Sequence, residues 1–264
     1  MARPRMRVGL IGLGAIGQGV VDLLDRHADQ HIQIVAVLVR DPSRPRPISG
    51  LETVATLDKL LEKRPDVIVE AAGHNALRGY GPGVLESGCD LVTVSVGALA
   101  DPGVYDTLVT AAEAGGGRVE VASGAIGALD AIAAASLGGL SRVVHTTRKP
   151  AKALLSAEEA DQLTRTKELF HGSAREGVLM FPESVNVAAA VSLAGIGLDR
   201  TEVRVLADPH VKRNQHEVIA EGAFGSLRFE IQNVPTEGNP RTGRIAAMSI
   251  VWKLLSRRAP IVIG

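Results

Sequence analysis

Apolar and polar positions alternate in a regular way over the first half of the chain. Residues 7–11 form a short apolar run that predicts a buried strand, and residues 14–24 carry helical spacing behind it. Residues 33–39, rich in β-branched side chains, predict a second strand. Pro42, Pro45 and Pro47 then impose an extended loop, because each fixes φ and removes an amide donor. Leu57, Leu60 and Leu61 give one apolar helical face ahead of a strand at 67–69. A helix over 75–86 follows, with a break expected at Gly81-Pro82-Gly83. A strand at 91–96, a helix at 101–114 and a strand at 118–122 complete the series. Strand and helix in alternation predict a parallel sheet covered on both faces.

The pattern changes after about residue 140. Segments 141–148, 201–207, 215–220 and 226–232 all read as strands. In the last, Leu227, Phe229 and Ile231 alternate with Arg228, Glu230 and Gln232, so one face is wet or only partly covered. Glycine turns such as 222–225 predict antiparallel pairing. Residues 240–255 are helical in pattern. The expected fold class is α/β, with a doubly wound parallel sheet over 1–140 and a second α+β domain over 141–239. That second domain holds a mostly antiparallel or mixed sheet, and a C-terminal helix within 240–264 packs back on the first domain.

Composition narrows the classes of function. A chain of 264 residues suits two packed domains. Its 29 basic and 29 acidic residues cancel, which leaves no electrostatic footprint for nucleic acid or an anionic membrane. One Trp, two Tyr and four Phe are too few for a base-stacking platform. Cys89 is the only cysteine, so an intrachain disulfide and a thiolate-rich metal site are excluded, and no metal is expected. Arg3, Arg5 and Arg7 ahead of the apolar run 8–21 superficially copy a secretory signal. Gly9, Gly12, Gly14, Gly17 and Gly19 spoil that run as a helical signal core. The later run 185–198 is too short to span a bilayer and is broken by glycines. The expectation is a soluble, unprocessed, cytoplasmic protein.

The motif Gly12-Leu13-Gly14-Ala15-Ile16-Gly17 lies between the first predicted strand and helix. In that context Gly12 permits the tight turn, Gly14 lets the backbone approach a pyrophosphate, and Gly17 lets the helix pack on the strand. The helix start at Ala15 and Ile16 offers unpaired N–H groups and a positive dipole end. Together these features predict a Rossmann dinucleotide-binding domain. Beyond the motif, the second strand ends Val39-Arg40-Asp41. Asp41 is of the type that accepts the ribose 2′-hydroxyl of NAD, and Arg40 of the type that pairs with the 2′-phosphate of NADP or stacks on adenine. The competing reading makes both solvated loop charges. The expected cofactors are NAD and NADP.

Three polar clusters follow. Ser123-Gly124-Ala125-Ile126-Gly127 would let backbone groups reach a nicotinamide, or is a plain turn and helix cap. In Phe181-Pro182-Glu183-Ser184-Val185-Asn186-Val187-Ala188, Pro182 and Glu183 suit a first helical turn, and Asn186, a poor helix former, stands about one turn in. In the segment 207–217, Pro209 ends one strand and His216 begins the next, where an imidazole can give or take a proton near neutral pH. His145 and His210 compete with His216 for that role, whereas His27, His31 and His171 read as structural or surface residues.

The stretches GLGAIG, SGAIG, FPESVNVAAA, ADPHVKRNQHEV and NVPTEGNPRTG, in this order, resemble the L-aspartate dehydrogenase family over nearly the whole chain. The resemblance implies a Rossmann domain with an α/β substrate and dimerisation domain, assembled as a homodimer. It implies reversible oxidation of L-aspartate through iminoaspartate to oxaloacetate and ammonia, linked in some organisms to NAD biosynthesis. It also implies cofactor contacts at Ala125 and Asn186 and a catalytic role for His216. A substrate with two carboxylates calls for cationic or N–H donors, and Lys149 and the turn Gly172-Ser173 are the candidates. Solvated loop residues are the competing reading of all three. Ser184 stands where the family often has Asn, and Gly243 where Ser is common. The first departure puts a hydrogen bond at the helix start in doubt, and the second weakens the cap of the last helix.

Three rival functions make demands that the residues do not meet. A phosphorylating aldehyde dehydrogenase needs a nucleophilic cysteine at the domain junction, and Cys89 lies inside the first domain. A dihydrodipicolinate-reductase-like enzyme that reduces a C=N bond would be expected to carry a paired-histidine motif followed by Lys, and no two histidines are adjacent here. A non-enzymatic NAD-binding redox sensor needs a partner surface or a DNA-binding element, which neutral charge and the lack of a helix-turn-helix signal disfavour.

Overall fold

The computed structural model describes residues 4–27, 31–44, 50–181, 185–236 and 239–263. Contacts divide the chain into two units, Met1–Gly124 with Ala246–Gly264, and Ala125–Ile245. The first unit carries β1 (Met6–Ile11), α1 (Ala15–His27), β2 (Ile32–Leu38), β3 (Thr53–Val54), α2 (Leu57–Leu61) and β4 (Val67–Glu70). It continues through α3 (His74–Glu86), β5 (Asp90–Thr93), α4 (Pro102–Gly115) and β6 (Val119–Val121). All pairings are parallel, in the order β3-β2-β1-β4-β5-β6. This is the doubly wound arrangement that the alternation of elements predicts.

The central strands β1, β4 and β5 are mostly apolar and buried because both faces are covered. On one face Val8, Leu10, Val37, Val69 and Val92 share a core with Val20, Val21 and Leu24 of α1. On the other, Gly81 of α3 comes so close to Leu108 of α4, Leu77 and Leu91 that a Cβ would lie 2.7 Å from the Leu108 side chain. α3 runs unbroken through Pro82, against the break expected there. The proline costs about 3 kcal/mol in a helix interior. Burying Leu77, Val84 and Leu85 of the same helix returns about 1.5–3 kcal/mol each, which decides the outcome. The strand expected at 91–96 stops at Thr93, whose hydroxyl accepts the Ser95 N–H and turns the chain into a 3-10 segment, Val96–Ala100. Pro45 and Pro47 lie outside the described residues.

The second unit begins earlier than the pattern change at residue 140 indicates. It contains α5 (Leu129–Leu137), β7 (Leu140–Pro150), α6 (Ala157–Gln162), β8 (Lys167–Ser173), α7 (Ala174–Met180) and α8 (Val185–Ala194). β9 (Glu202–Asp208), β10 (Gln215–Gly222), β11 (Gly225–Gln232), β12 (Pro235–Thr236) and β13 (Asn239–Gly243) follow. α5 belongs here because Ile132 and Ala135 pack with Val143, Val187, Val191 and Val218. The sheet order is β11-β10-β7-β9-β8, mixed, with only β7 and β9 parallel. Leu227, Phe229 and Ile231 of β11 face the core, as their alternation predicts.

Residues 239–243 form a strand paired with β12, where the sequence pattern predicts helix. Pro240, Thr242 and Gly243 are poor helix formers. The last helix, α9 (Ile245–Ser256), starts only beyond them. Its Ala247, Ile250, Val251 and Leu254 lie in the core of the first unit. Among the described residues, no helix is long and apolar enough to cross a membrane.

Candidate functional site

The first unit opens a cleft of about 1160 Å³ lined by Gly12, Leu13, Gly14, Arg40, Asp41 and Tyr80, among others. β1 lies between β2 and β4, so the connection from β1 to β2 and the crossover from β3 to β4 run in opposite directions across the sheet, and a crevice forms at the strand ends. Gly12 has φ +93, and a Cβ there would lie 2.6 Å from the Ala72 Cβ. A Cβ on Gly17 would drive into the carbonyl oxygen of Gly12. A Cβ on Gly14 would meet nothing within 4 Å, so this residue borders open space. The loop is therefore packed tightly beneath and left open toward the cleft, as a phosphate cradle must be. Ala15 and Ile16 form the first turn of α1, whose leading N–H groups have no intrahelical partner.

The wall opposite the glycines depends on a residue that the sequence reading missed. Glu70 ends β4 fully buried. Its Oε1 accepts the N–H groups of Ala72 (2.7 Å) and Gly73 (2.8 Å), and its Oε2 accepts the Thr93 hydroxyl (2.6 Å). Ala72 lines the cleft, so this carboxylate fixes the turn that faces Gly12. A lone acidic residue closing a hydrophobic strand has no periodic signal. At the far end, Arg40 and Asp41 are exposed at the rim with Arg44. Asp41 Oδ1 also accepts the Ser43 N–H (3.0 Å) and hydroxyl (2.6 Å), which shapes that rim.

In the second unit the register of β7 and β10 assembles an imidazole cluster. His216 lies directly across from Thr147, and Val218 across from His145. The period of two places all four side chains on one sheet face. His216 Nδ1 is 3.1 Å from the Thr147 hydroxyl and 3.2 Å from His145 Nε2. The two rings stack with centroids 5.4 Å apart. Both are buried, at 6% exposure for His216 and 1% for His145. Burial, and secondarily the charge of Lys149, push the His216 pKa down to about 4. Burial, then His216, pushes His145 well below the ordinary imidazole value. Both rings are neutral at pH 7. The structure thus joins two of the three competing histidines, while His210 is exposed on the turn after β9.

The turn bearing His210 is held by Asp208, which accepts the His210 N–H (2.8 Å), the Thr166 hydroxyl (2.7 Å) and Arg148 (2.6 Å). Burial pushes this carboxyl up, but those hydrogen bonds outweigh it and hold the pKa at about 2. Lys149 is a half-buried residue of β7 and not part of a loop. Gly172 and Ser173 end strand β8 and do not form the expected free turn. The Ser173 hydroxyl caps α7 in a reciprocal box with Glu176, which gives it a structural task.

Ala125 begins the second unit, and its carbonyl accepts the Asn233 side-chain amide (3.0 Å). Asn233 is buried and packs against Gly243, where a Cβ would lie 3.1 Å from the Asn233 side chain. Gly243 therefore makes room for this amide, a closer constraint than the cap of the last helix. Asn186 is exposed in the first turn of α8. Pro182, Glu183 and Ser184 lie outside the described residues.

Known proteins resemble this chain over almost all its length. Residues 12–122 match the family described as homoserine dehydrogenase, NAD binding domain, and residues 130–257 match aspartate dehydrogenase, C-terminal. An L-aspartate dehydrogenase of Cupriavidus taiwanensis is 42% identical over 259 residues, covering 96% of this chain and 97% of that protein. One from Pseudomonas aeruginosa is 41% identical over 259 residues, covering 94% and 96%. The crystal structure of aspartate dehydrogenase from Thermotoga maritima superposes with a TM-score of 0.82 at 25% identity, covering 98% of this chain and all of that one. The first unit is accordingly a pyridine-nucleotide-binding domain, and the protein an oxidoreductase. The chain belongs to the L-aspartate dehydrogenase family.

Proposed function

We infer that this protein oxidises L-aspartate through iminoaspartate to oxaloacetate and ammonia, with NAD or NADP as hydride acceptor. The observation that carries the reading is the buried, neutral imidazole of His216 within a chain that matches L-aspartate dehydrogenases over nearly its whole length. When bound, the nicotinamide supplies the hydride acceptor for the aspartate Cα–H. Gly12, Gly14, Ala15, Ile16 and Gly17 hold the pyrophosphate, and Ala125 and Asn186 contact the cofactor. His216 takes a proton from the water that adds to the imine carbon and returns it to the departing amine. Lys149, whose charge is felt at His216, attracts a substrate carboxylate. A bound dianion would offset that charge and raise the basicity of His216 when the substrate is in place. Gly172 offers a backbone N–H for the second carboxylate, whereas both the hydroxyl and the N–H of Ser173 are engaged with Glu176 in its cap.

Both dinucleotides are accepted, because the rim offers a carboxylate for a ribose hydroxyl (Asp41) beside a guanidinium for a 2′-phosphate (Arg40). The protein works as a cytoplasmic homodimer, so light scattering should return twice the 27.6 kDa chain mass. Its imine product supplies NAD biosynthesis, which isotope-labelled aspartate fed to cells would trace. The direct test is a screen of L-amino acids with NAD and NADP, followed at nicotinamide absorbance. L-Aspartate should be oxidised fastest. No reaction with it, together with reduction of a cyclic imine, would overturn the reading in favour of a dihydrodipicolinate-reductase-like activity.

A further inference from the structure

His145 is buried at a cost that packing does not explain. Its Nδ1 is a buried polar atom with no partner among the described residues. An unmet buried group costs about 1–3 kcal/mol, which an apolar side chain on this sheet face would avoid. Its neighbours on the same face are apolar, with Val203 across on β9 and Val218 across on β10. What the imidazole gains there is contact through Nε2 with His216 Nδ1 at 3.2 Å, and with the Thr147 hydroxyl at 3.4 Å.

We propose that His145 is a positioning residue for His216: its Nε2 accepts the Nδ1–H of His216, which leaves the lone pair of His216 on Nε2. This rests on the reading of His216 as the acid/base group. His216 Nδ1 already faces His145 and Thr147, so Nε2 is the ring nitrogen left for substrate and water. A neutral imidazole carries one N–H, and whichever nitrogen holds it decides whether the other can act as a base. With the proton on Nδ1, the bond to His145 persists when Nε2 takes a second proton, and it stabilises the imidazolium formed. The opposite tautomer, with His145 donating, turns the lone pair of His216 inward, away from any substrate. Among the described residues, the charged group that acts on His216 is Lys149 of β7; the neighbours of this row on β9 and β11, Val205 and Ile231, are uncharged.

Two measurements test the proposal. In wild-type protein labelled with 15N in the histidine rings, the His216 signals, identified by their loss in His216→Ala, should report the Nδ1–H tautomer at pH 7. The Nε2–H tautomer would overturn the proposal without any further variant. In steady-state kinetics His145→Leu should lower kcat about 10- to 100-fold with the dinucleotide KM within about twofold. His145→Gln keeps an amide oxygen near the Nε2 position and should recover turnover to within about fivefold of wild type. Wild-type turnover in His145→Leu, or no recovery in a folded His145→Gln, would overturn it. Wild-type turnover in His216→Ala would instead bring down the reading of His216 itself, so the two failures are distinguishable.

Discussion

Replacing Glu70 tests whether a buried carboxylate builds the cofactor cleft. In Glu70→Ala three donors lose their acceptor: the N–H groups of Ala72 and Gly73 and the Thr93 hydroxyl. An unmet buried donor costs about 1–3 kcal/mol. The two backbone groups are only partly buried and can turn to solvent, whereas Thr93 is fully buried. The expected loss of stability is about 2–4 kcal/mol, read as a lower urea midpoint. The freed turn also no longer holds Ala72 against the glycine loop. Dinucleotide affinity, measured by nicotinamide fluorescence, should therefore fall about 5- to 30-fold, equivalent to roughly 1–2 kcal/mol. Glu70→Gln separates charge from connectivity. Its amide oxygen can keep both backbone bonds, and its NH2 can donate to a rotated Thr93 hydroxyl, so the cost should be about 1 kcal/mol. If Glu70→Ala binds dinucleotide and unfolds like wild type, or if Gln is as damaging as Ala, the account of this wall is wrong.

A Gly17→Ala substitution puts a methyl group into the Gly12 carbonyl and should raise the dinucleotide Kd at least about tenfold, equivalent to roughly 1.4 kcal/mol; titration returning the wild-type value contradicts the cradle. Arg40→Ala should weaken NADP binding about 5- to 30-fold, the worth of one exposed charge-assisted contact, with NAD within about twofold. Equal behaviour with both dinucleotides, unchanged from wild type, removes Arg40 from cofactor choice. Asp208 has a folded pKa of about 2, below its ordinary 3.8, so its contribution is present above about pH 4 and is lost as pH falls through 2. Asp208→Asn should lower the urea midpoint at pH 7 and flatten its decline between pH 4 and 2. The same slope as wild type in that window would show that Asp208 does not carry the effect.

The parallel sheet was legible because its central strands are mostly apolar and are separated by helical periods. The glycine loop was legible for a different reason, since close backbone approach permits only one residue type at Gly12 and Gly17. Strand β8 was not, because Lys167, Glu168 and His171 break its apolar alternation and a register shift falls between Glu168 and Phe170. The two-residue strand β3 is too short to carry a pattern. The sequence predicts a break at Pro82 in α3 because local propensity is visible in sequence, while the tertiary burial that overrides it is not. The site shows the same division. His216 stood out by residue type and by family resemblance, but its link to His145 runs across 71 residues of sequence and exists only through the register of β7 and β10. Glu70 and Asn233 act through hydrogen bonds to backbone groups, which leave no trace in spacing.

The central claim is that His216 performs acid/base chemistry on aspartate bound in a pyridine-nucleotide enzyme. The most direct measurement compares wild type and His216→Ala in L-aspartate oxidation, with dinucleotide Kd measured separately on both. Acid/base catalysis by His216 requires a kcat about 10²–10⁴ lower in the variant with dinucleotide affinity unchanged. Turnover near the wild-type rate, or a loss traced entirely to dinucleotide binding, would contradict it.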